Sequence, residues 1–310
     1  MKPDKVLAHS PKILDQSERE YFFETGYLLK KRLVNDGWLS DLREVTERLI
    51  DESRSLSKSN KKFDLEPEHT AESPKLRRLT QPVDHDPLFW EFTSNSVITD
   101  LAEDLLGPNI KFHHSKLNFK WFGGGEEVKW HQDIQFWPHT NFSVLTIGVY
   151  LDDVDDMTGP MGVIPGSHKG ELFDQYNREN QWVGCLSDED LQKIELDNAV
   201  YMKGPAGSVT VHHCRALHGS MANNHPSKAR PLLLNAFSSA DALPITANPS
   251  PSSHNGTIVR GEAARYAEFD PFPARLPPDW SGGYSSIFAL QQVDDNKATS
   301  ATERSILVSQ

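Results

Sequence analysis

Apolar residues change their spacing twice along this 310-residue chain. In "DQSEREYFFETGYLLKKRLV" they fall at helical intervals up to Gly26, predicting a short helix capped near Asp15 and stopped at that glycine, followed by a strand-like "YLLKKRLV". "DGWLSDLREVTERLIDESRSL" repeats the helical spacing through Leu39, Leu42, Val45 and Leu49. Residues 53–75 are polar and aperiodic, which predicts a mobile loop inside one domain. A further helix over about 86–106 ends at Gly107 to Asn109. Beyond it the texture becomes short strands: "IKFHHSKLNFKWF", "VKWHQDIQFW", "SVLTIGVYLDDV", "GSVTVHHCRALH" and "ARPLLLNAFSSA", separated by loops rich in Gly, Pro, Asn and Asp. The prediction is a mainly β fold with flanking helices, in which a helical wrapper surrounds an antiparallel core of sandwich or jelly-roll type. One domain is expected over 1–270, with 271–310 as a carboxy-terminal extension whose last part, "DDNKATSATERSILVSQ", is polar and flexible. There are no internal repeats.

Bulk properties remove several function classes. A net charge of −12 argues against nucleic acid or an anionic membrane as partner, because both reward clustered Lys and Arg. Two cysteines, Cys185 and Cys214, require no disulfide framework. No run of about 18 apolar residues occurs and the amino terminus is polar, so a soluble, cytoplasmic protein acting on a small molecule is expected.

The stretch "KWHQDIQFWPHTNF" concentrates metal-competent side chains: His131, Asp133 and His139. Residues two apart in a strand share a face, so His131 and Asp133 can converge while Gln132 points away. An imidazole and a carboxylate from one strand supply two ligands of a 2-His-1-carboxylate site, the set that leaves open positions on Fe(II). An H-x-D triplet also arises by chance, so a third ligand is required. His139 lies beyond Pro138 and too far along an extended chain, and His168 sits in the turn-like "IPGSHKG". His212 and His213 point to opposite faces, and His218 ends its strand. Spacing leaves His213 and His218 both open. Arg230 opens the next apolar strand; if the two strands form a hairpin it flanks the same mouth as His218, where a guanidinium would receive a carboxylate, the alternative being a surface ion pair.

In "HHSKLNFKWFGGGEEVKWHQD", "LDDVDDMTGPMGVIPGSHKG" and "GSVTVHHCRALHGSMANNHPSKARPLLLNAF" the chain resembles the phytanoyl-CoA dioxygenase family over roughly Gln16 to Ala240. That resemblance implies a double-stranded β-helix, cupin-like, and an Fe(II)- and 2-oxoglutarate-dependent dioxygenase consuming O₂. The family's H-x-D pattern falls on His131 and Asp133, its distal metal histidine on His218 and its cosubstrate arginine on Arg230. Asn118 and Ser220 map to residues that help hold 2-oxoglutarate, with Thr146 and His114 as looser matches; His114 stands where some members carry glutamine. Relatives that halogenate replace the carboxylate by a small residue, so Asp133 favours hydroxylation or another oxidation over halogenation; the resemblance implies hydroxylation of an aliphatic C–H, with release of succinate and CO₂. The rival readings are a catalytically silent β-helix that binds a ligand, and the same enzyme class performing desaturation or cyclisation.

Strand parity continued past Asp133 places Gln135 and Trp137 on the pocket face as substrate contacts, against the plainer reading of Phe136 and Trp137 as core aromatics. Residues 53–75 and 241–260 are expected to cover the pocket. Gly123 to Gly125 reads as a connecting loop, since no GK[ST] follows. "LDDVDD" reads as a solvated strand end rather than a Ca²⁺ cluster, and His212 and His213 as structural or supporting residues. An acidic chain lacking an evident basic cluster fits a nucleotide-bearing thioester poorly, and "LVSQ" is not a Ser-Lys-Leu address. Amino-acid derivatives, phosphonates and secondary metabolites stay open as substrates.

Overall fold

The computed structural model describes residues 2–291 except 124, 283 and 285. After a short α1 (Pro3–Leu7), α2 (Gln16–Thr25) begins with a capping box in which the Asp15 carboxylate accepts from Glu18 N–H and the Glu18 side chain answers Asp15 N–H. It stops at Gly26, whose φ of 80° suits glycine and whose place beside the His168 ring leaves no room for a Cβ. The chain then enters β1 (Tyr27–Lys30) and α3 (Asp36–Glu52), which buries Leu39, Leu42 and Leu49 as the spacing predicted.

Two expectations change in the next stretch. Residues 53–75 are not a free loop, since they contain β2 (Phe63–Leu65), which pairs with β3 (Leu76–Thr80). Phe63 is buried, and both ring nitrogens of His69 contact backbone carbonyls, of Lys75 and Ser53, each at 3.1 Å. Three apolar-flanked residues in a polar run were too few to register as periodicity. The single helix over 86–106 is two, α4 (Pro87–Asn95) and α5 (Val97–Leu106), because the Ser96 hydroxyl caps the second and forces extended backbone between them.

The remaining elements are β4 (Ile110–Asn118), β5 (Val128–His131), β6 (Val144–Tyr150), β7 (Met161–Val163), α6 (Asp188–Leu191), β8 (Val200–Met202), β9 (Val209–His213), β10 (His218–Ser220), β11 (Leu232–Ser239), β12 (Ile258–Arg260) and α7 (Ile287–Gln291). Among the described residues they form two antiparallel sheets. The large one runs β1-β9-β6-β11-β4-β3-β2 with β12 on β4, and the small one runs β5-β10-β7-β8. This is the jelly-roll arrangement expected from the sequence. The hairpin on which the nearness of His218 and Arg230 was made conditional does not form: β10 pairs with β5 and β7, whereas β11 lies between β4 and β6 in the other sheet.

Both faces of the large sheet are covered, so its strands read as nearly continuous buried runs. Leu117, Leu145, Ile147, Val149, Val209, Val211 and Leu233 face the helices in the main apolar core with Phe22, Leu42, Phe89 and Leu105. The alternate positions Lys116, Asn118, Thr146, His212, Leu232 and Leu234 line a cavity between the sheets.

Candidate active site

His131 ends β5 and His218 opens β10, and these two residues are direct partners across the small sheet. Their ring centroids are 4.1 Å apart. Each imidazole is turned by the same local device: Nδ1 of His131 meets the Lys129 carbonyl at 2.8 Å and Nδ1 of His218 meets the Ala216 carbonyl at 3.0 Å, two residues upstream in both cases. A carbonyl only accepts, so Nδ1–H donates and each Nε2 keeps its lone pair facing the cavity.

Asp133 joins them by a different route from strand parity. The strand ends at His131, Gln132 stays extended, and a 3₁₀ turn over Asp133–Gln135 swings the carboxylate inward. Asp133 Oδ1 lies 3.7 Å from His131 Nε2 and 3.8 Å from His218 Nε2. Its Oδ2 accepts from the Thr146 hydroxyl at 3.0 Å and meets His212 Nε2 at 3.2 Å. Nitrogen and oxygen ligands sit roughly 2.0–2.2 Å from a divalent transition metal, so two donors up to about 4 Å apart can share one ion. Two Nε2 atoms and one carboxylate oxygen, all within 4.8 Å and all buried, form the metal-competent group found among the described residues.

Electrostatics put these groups in the protonation states that metal binding needs. Burial lowers His131 to about 4 and holds His218 well below the ordinary imidazole value, with the other imidazoles adding to the effect on His218. Burial alone would raise Asp133, but His218, His212 and the Lys116 ammonium outweigh it and keep the carboxyl ionised well below its usual range. Burial thus favours the neutral imidazole at His131 and His218, and the facing nitrogens and Lys116 favour the carboxylate at Asp133.

Arg230 lies on the far wall of the same cavity. It is buried, not a surface ion pair, and its Nε and Nη1 have no hydrogen-bond partner. Its backbone N–H and carbonyl pair with Lys120 at 2.8 and 3.2 Å, fixing the side chain in place. A buried guanidinium with idle N–H groups is costly unless an anion answers it. Asn118 Oδ1 is also buried and unpartnered, and Ser220 and Thr146 line the same space. A dicarboxylate spanning metal and Arg230 fits this donor set.

Other candidates lie elsewhere. His139 is buried with Nδ1 on the Trp137 carbonyl and packs near His113, away from the metal-competent group. His168 contacts the Phe23 carbonyl. His213 faces Phe22 and His168, so the choice left open by spacing falls to His218, while His212 looks inward and supports Asp133. His114 touches His113, Nδ1 to Nδ1 at 2.6 Å, and is not among the cavity-lining residues. Because β5 stops at His131, the parity that pointed Gln135 and Trp137 at the substrate does not apply. Gln135 gives its amide N–H to the Phe173 carbonyl at 2.8 Å, Trp137 packs against His113, and neither lines the cavity. Residues 53–75 and 241–260 do not line it either; Ile287 and Phe288 of α7 do. That helix is tied down by Gln291, which accepts from Lys129 N–H at 2.9 Å and donates to the Gly184 carbonyl at 2.7 Å. The "LDDVDD" carboxylates are engaged by Arg43, Lys203 and backbone N–H groups, as a strand end would be.

Sequence reasoning had the signal for His212, which alternates with the core residue Val211, but did not use it to place the carboxylate's partner. It missed α7, although "IFALQ" is an apolar cluster in a polar tail.

A family model described as "Phytanoyl-CoA dioxygenase (PhyH)" matches residues 22–231. A protein from Stutzerimonas stutzeri named "Probable alpha-ketoglutarate-dependent hypophosphite dioxygenase" is 30% identical over 282 residues, which are 89% of this chain and 96% of that one. L-proline trans-4-hydroxylase from Streptomyces griseoviridis is 29% identical over 243 residues, 69% of this chain and 87% of its own. Among solved structures, EctD from S. alaskensis with bound Fe shares the fold with a TM-score of 0.69 at 21% identity, covering 84% of this chain and 92% of that chain.

Proposed function

The chain belongs to the phytanoyl-CoA dioxygenase family and is an iron- and 2-oxoglutarate-dependent dioxygenase, and from that premise we propose that His131, Asp133 and His218 hold the iron and that Arg230, Asn118 and Ser220 hold the cosubstrate. The observation that carries this reading is the single cavity where two Nε2 atoms and Asp133 Oδ1 converge at one wall and the unpaired Arg230 guanidinium waits at the other. The reaction is hydroxylation of an aliphatic C–H in a small organic molecule, as in relatives named for L-proline and ectoine.

Iron and 2-oxoglutarate, when bound, supply the O₂ chemistry that oxidises the C–H bond, with succinate and CO₂ released. The chain's own contribution is positional. The Lys129 and Ala216 carbonyls fix the tautomers of His131 and His218, and Thr146 with His212 occupies Asp133 Oδ2 so that Oδ1 faces the histidines. Arg230 offers parallel N–H donors to a carboxylate. Met161, Leu232, Leu234, Ile287 and Phe288 exclude water around these polar groups.

A reducing, cytoplasmic setting is part of the reading; Cys185 and Cys214 are both buried, and no helix among the described residues is long and apolar enough to cross a membrane. The test is anaerobic loading with Fe(II) and 2-oxoglutarate, then succinate release on admission of O₂ across a panel of small substrates. His131→Ala and His218→Ala should abolish release and His139→Ala should retain most of it. Parent-like turnover in either of the first two variants would sink the assignment.

A further inference from the structure

Lys116 sits in this cavity and, beyond its field on Asp133, has no part in the assignment above. It lies on β4 two residues before Asn118, on the same face, and opposite Leu234, whose side chain also lines the cavity. Two buried lysines nearby are tethered, unlike the half-buried Lys116: Lys111 donates to the Ala240 carbonyl and Lys120 to the Ser220 carbonyl, both at 3.1 Å. The Lys116 ammonium, by contrast, has no hydrogen bond or ion pair among the described residues, although it is close enough to Asp133 for the two charges to influence each other. Desolvation lowers its pKa, and the nearby Arg78 guanidinium adds to that effect.

The charge balance of the loaded site isolates this residue. A divalent metal, the Asp133 carboxylate, dianionic 2-oxoglutarate and the Arg230 guanidinium together carry no net charge. Lys116 then remains as a positive charge at the cavity wall beside the reacting centre, with Leu232, Leu234, Ile287 and Phe288 around it and the buried Arg78 guanidinium close enough to add to the surplus. A neutral or cationic substrate would leave that charge unanswered, whereas an anion would pair with it at low dielectric. The chain as a whole carries −12 and repels anions at long range, so a local receptor is what would select one.

We propose that the substrate is a small oxyanion, a carboxylate or a phosphorus oxyanion, whose charge is received by Lys116 while its oxidisable bond faces His131, Asp133 and His218. This rests on the iron and 2-oxoglutarate assignment, and the experiment separates the two. The anaerobic protein with Fe(II) is titrated with 2-oxoglutarate, and the visible charge-transfer absorption of the complex is followed. Acetate, methylphosphonate, acetamide and methylammonium are then added in turn. In the parent the absorption forms with 2-oxoglutarate and is perturbed by acetate or methylphosphonate well before acetamide or methylammonium; the anion that acts identifies the source of the charge. In Lys116→Met the 2-oxoglutarate titration is unchanged and the anion response weakens about ten- to hundredfold, as expected for a lost charge-assisted hydrogen bond. Lys116→Arg restores most of that response. An acetamide response equal to that of acetate, an anion response in Lys116→Met equal to the parent's, or a parent complex indifferent to both anions overturns the inference. Loss of the 2-oxoglutarate titration in Lys116→Met also overturns it, by moving Lys116 to the cosubstrate. A parent that forms no absorption with 2-oxoglutarate overturns the underlying assignment instead.

Discussion

Replacing Arg230 by methionine should weaken 2-oxoglutarate binding and leave the unloaded protein as stable as before, or more so. The guanidinium is buried, lowered by burial to about 10 but still charged at neutral pH, and holds Nε and Nη1 without partners. In the unloaded protein that arrangement is a burden, and exchanging an unpaired buried charge for an apolar side chain of similar bulk is neutral or stabilising by about 1–4 kcal/mol. The backbone bonds to Lys120 do not depend on the side chain. In the loaded protein the same exchange leaves a cosubstrate carboxylate buried and unpaired, a loss of about 2–5 kcal/mol. At about 1.4 kcal/mol per factor of ten, the dissociation constant rises roughly 30- to 4,000-fold. Thermal unfolding of the metal-free, 2-oxoglutarate-free protein reads the first effect, and anaerobic titration of the Fe(II) form reads the second. A variant that unfolds at lower temperature yet binds 2-oxoglutarate within about threefold of the parent would refute the reasoning, since Arg230 would then be a structural residue.

Three further expectations follow from other contacts. Thr146→Val keeps the shape but removes the donor to Asp133 Oδ2, so apparent Fe(II) affinity should fall about 10- to 100-fold by anaerobic competition with a chelator, with little change in fold. Gln135→Ala removes the bond to the Phe173 carbonyl and should cost about 1 kcal/mol in denaturant unfolding while the substrate KM stays within about twofold; a large rise in KM would return Gln135 to the substrate wall. Burial lifts the Glu66 carboxyl from 4.5 to about 7, against the opposing pull of Arg77, so the folded state favours its protonated form. Its contribution to stability is complete below the ordinary value and is lost as pH climbs through about 7, so Glu66→Gln should flatten the decline of unfolding midpoint across that window. A decline of equal slope in parent and variant would rule this out.

The helical wrapper was legible because its signals are local. Asp15, Glu18 and Gly26 bound α2 within a dozen residues, and Leu39, Leu42 and Leu49 repeat at one period. The metal-competent histidines were legible only with the resemblance added, since spacing kept His213 beside His218. The route to Asp133 was not legible at all. A 3₁₀ turn replaces the strand after His131, and what makes that turn useful is a hydroxyl and an imidazole from β6 and β9, residues 13 and 79 positions away. Because a turn resets side-chain direction, strand parity carries no information past His131 and does not bear on Gln135 and Trp137.

The same sheet shows where parity can be trusted. On β4, β6 and β9 the outward positions Leu117, Leu145, Ile147, Val209 and Val211 are apolar because they meet the helices. The inward positions Asn118, Thr146 and His212 are polar although they too are buried, and Lys116 beside them is half-buried. In a strand with one wet face such alternation marks solvent, and hydration satisfies the polar groups. Here helices cover one face and the small sheet the other, so the buried polar positions have no bulk water to turn to. Each must be satisfied by a neighbour or by a ligand. The Thr146 hydroxyl and His212 Nε2 are answered by Asp133, whereas His212 Nδ1, Asn118 Oδ1 and the Lys116 ammonium have no protein partner among the described residues. Alternation inside a doubly covered sheet therefore points at the site, and the members it leaves unsatisfied are where bound molecules should be sought.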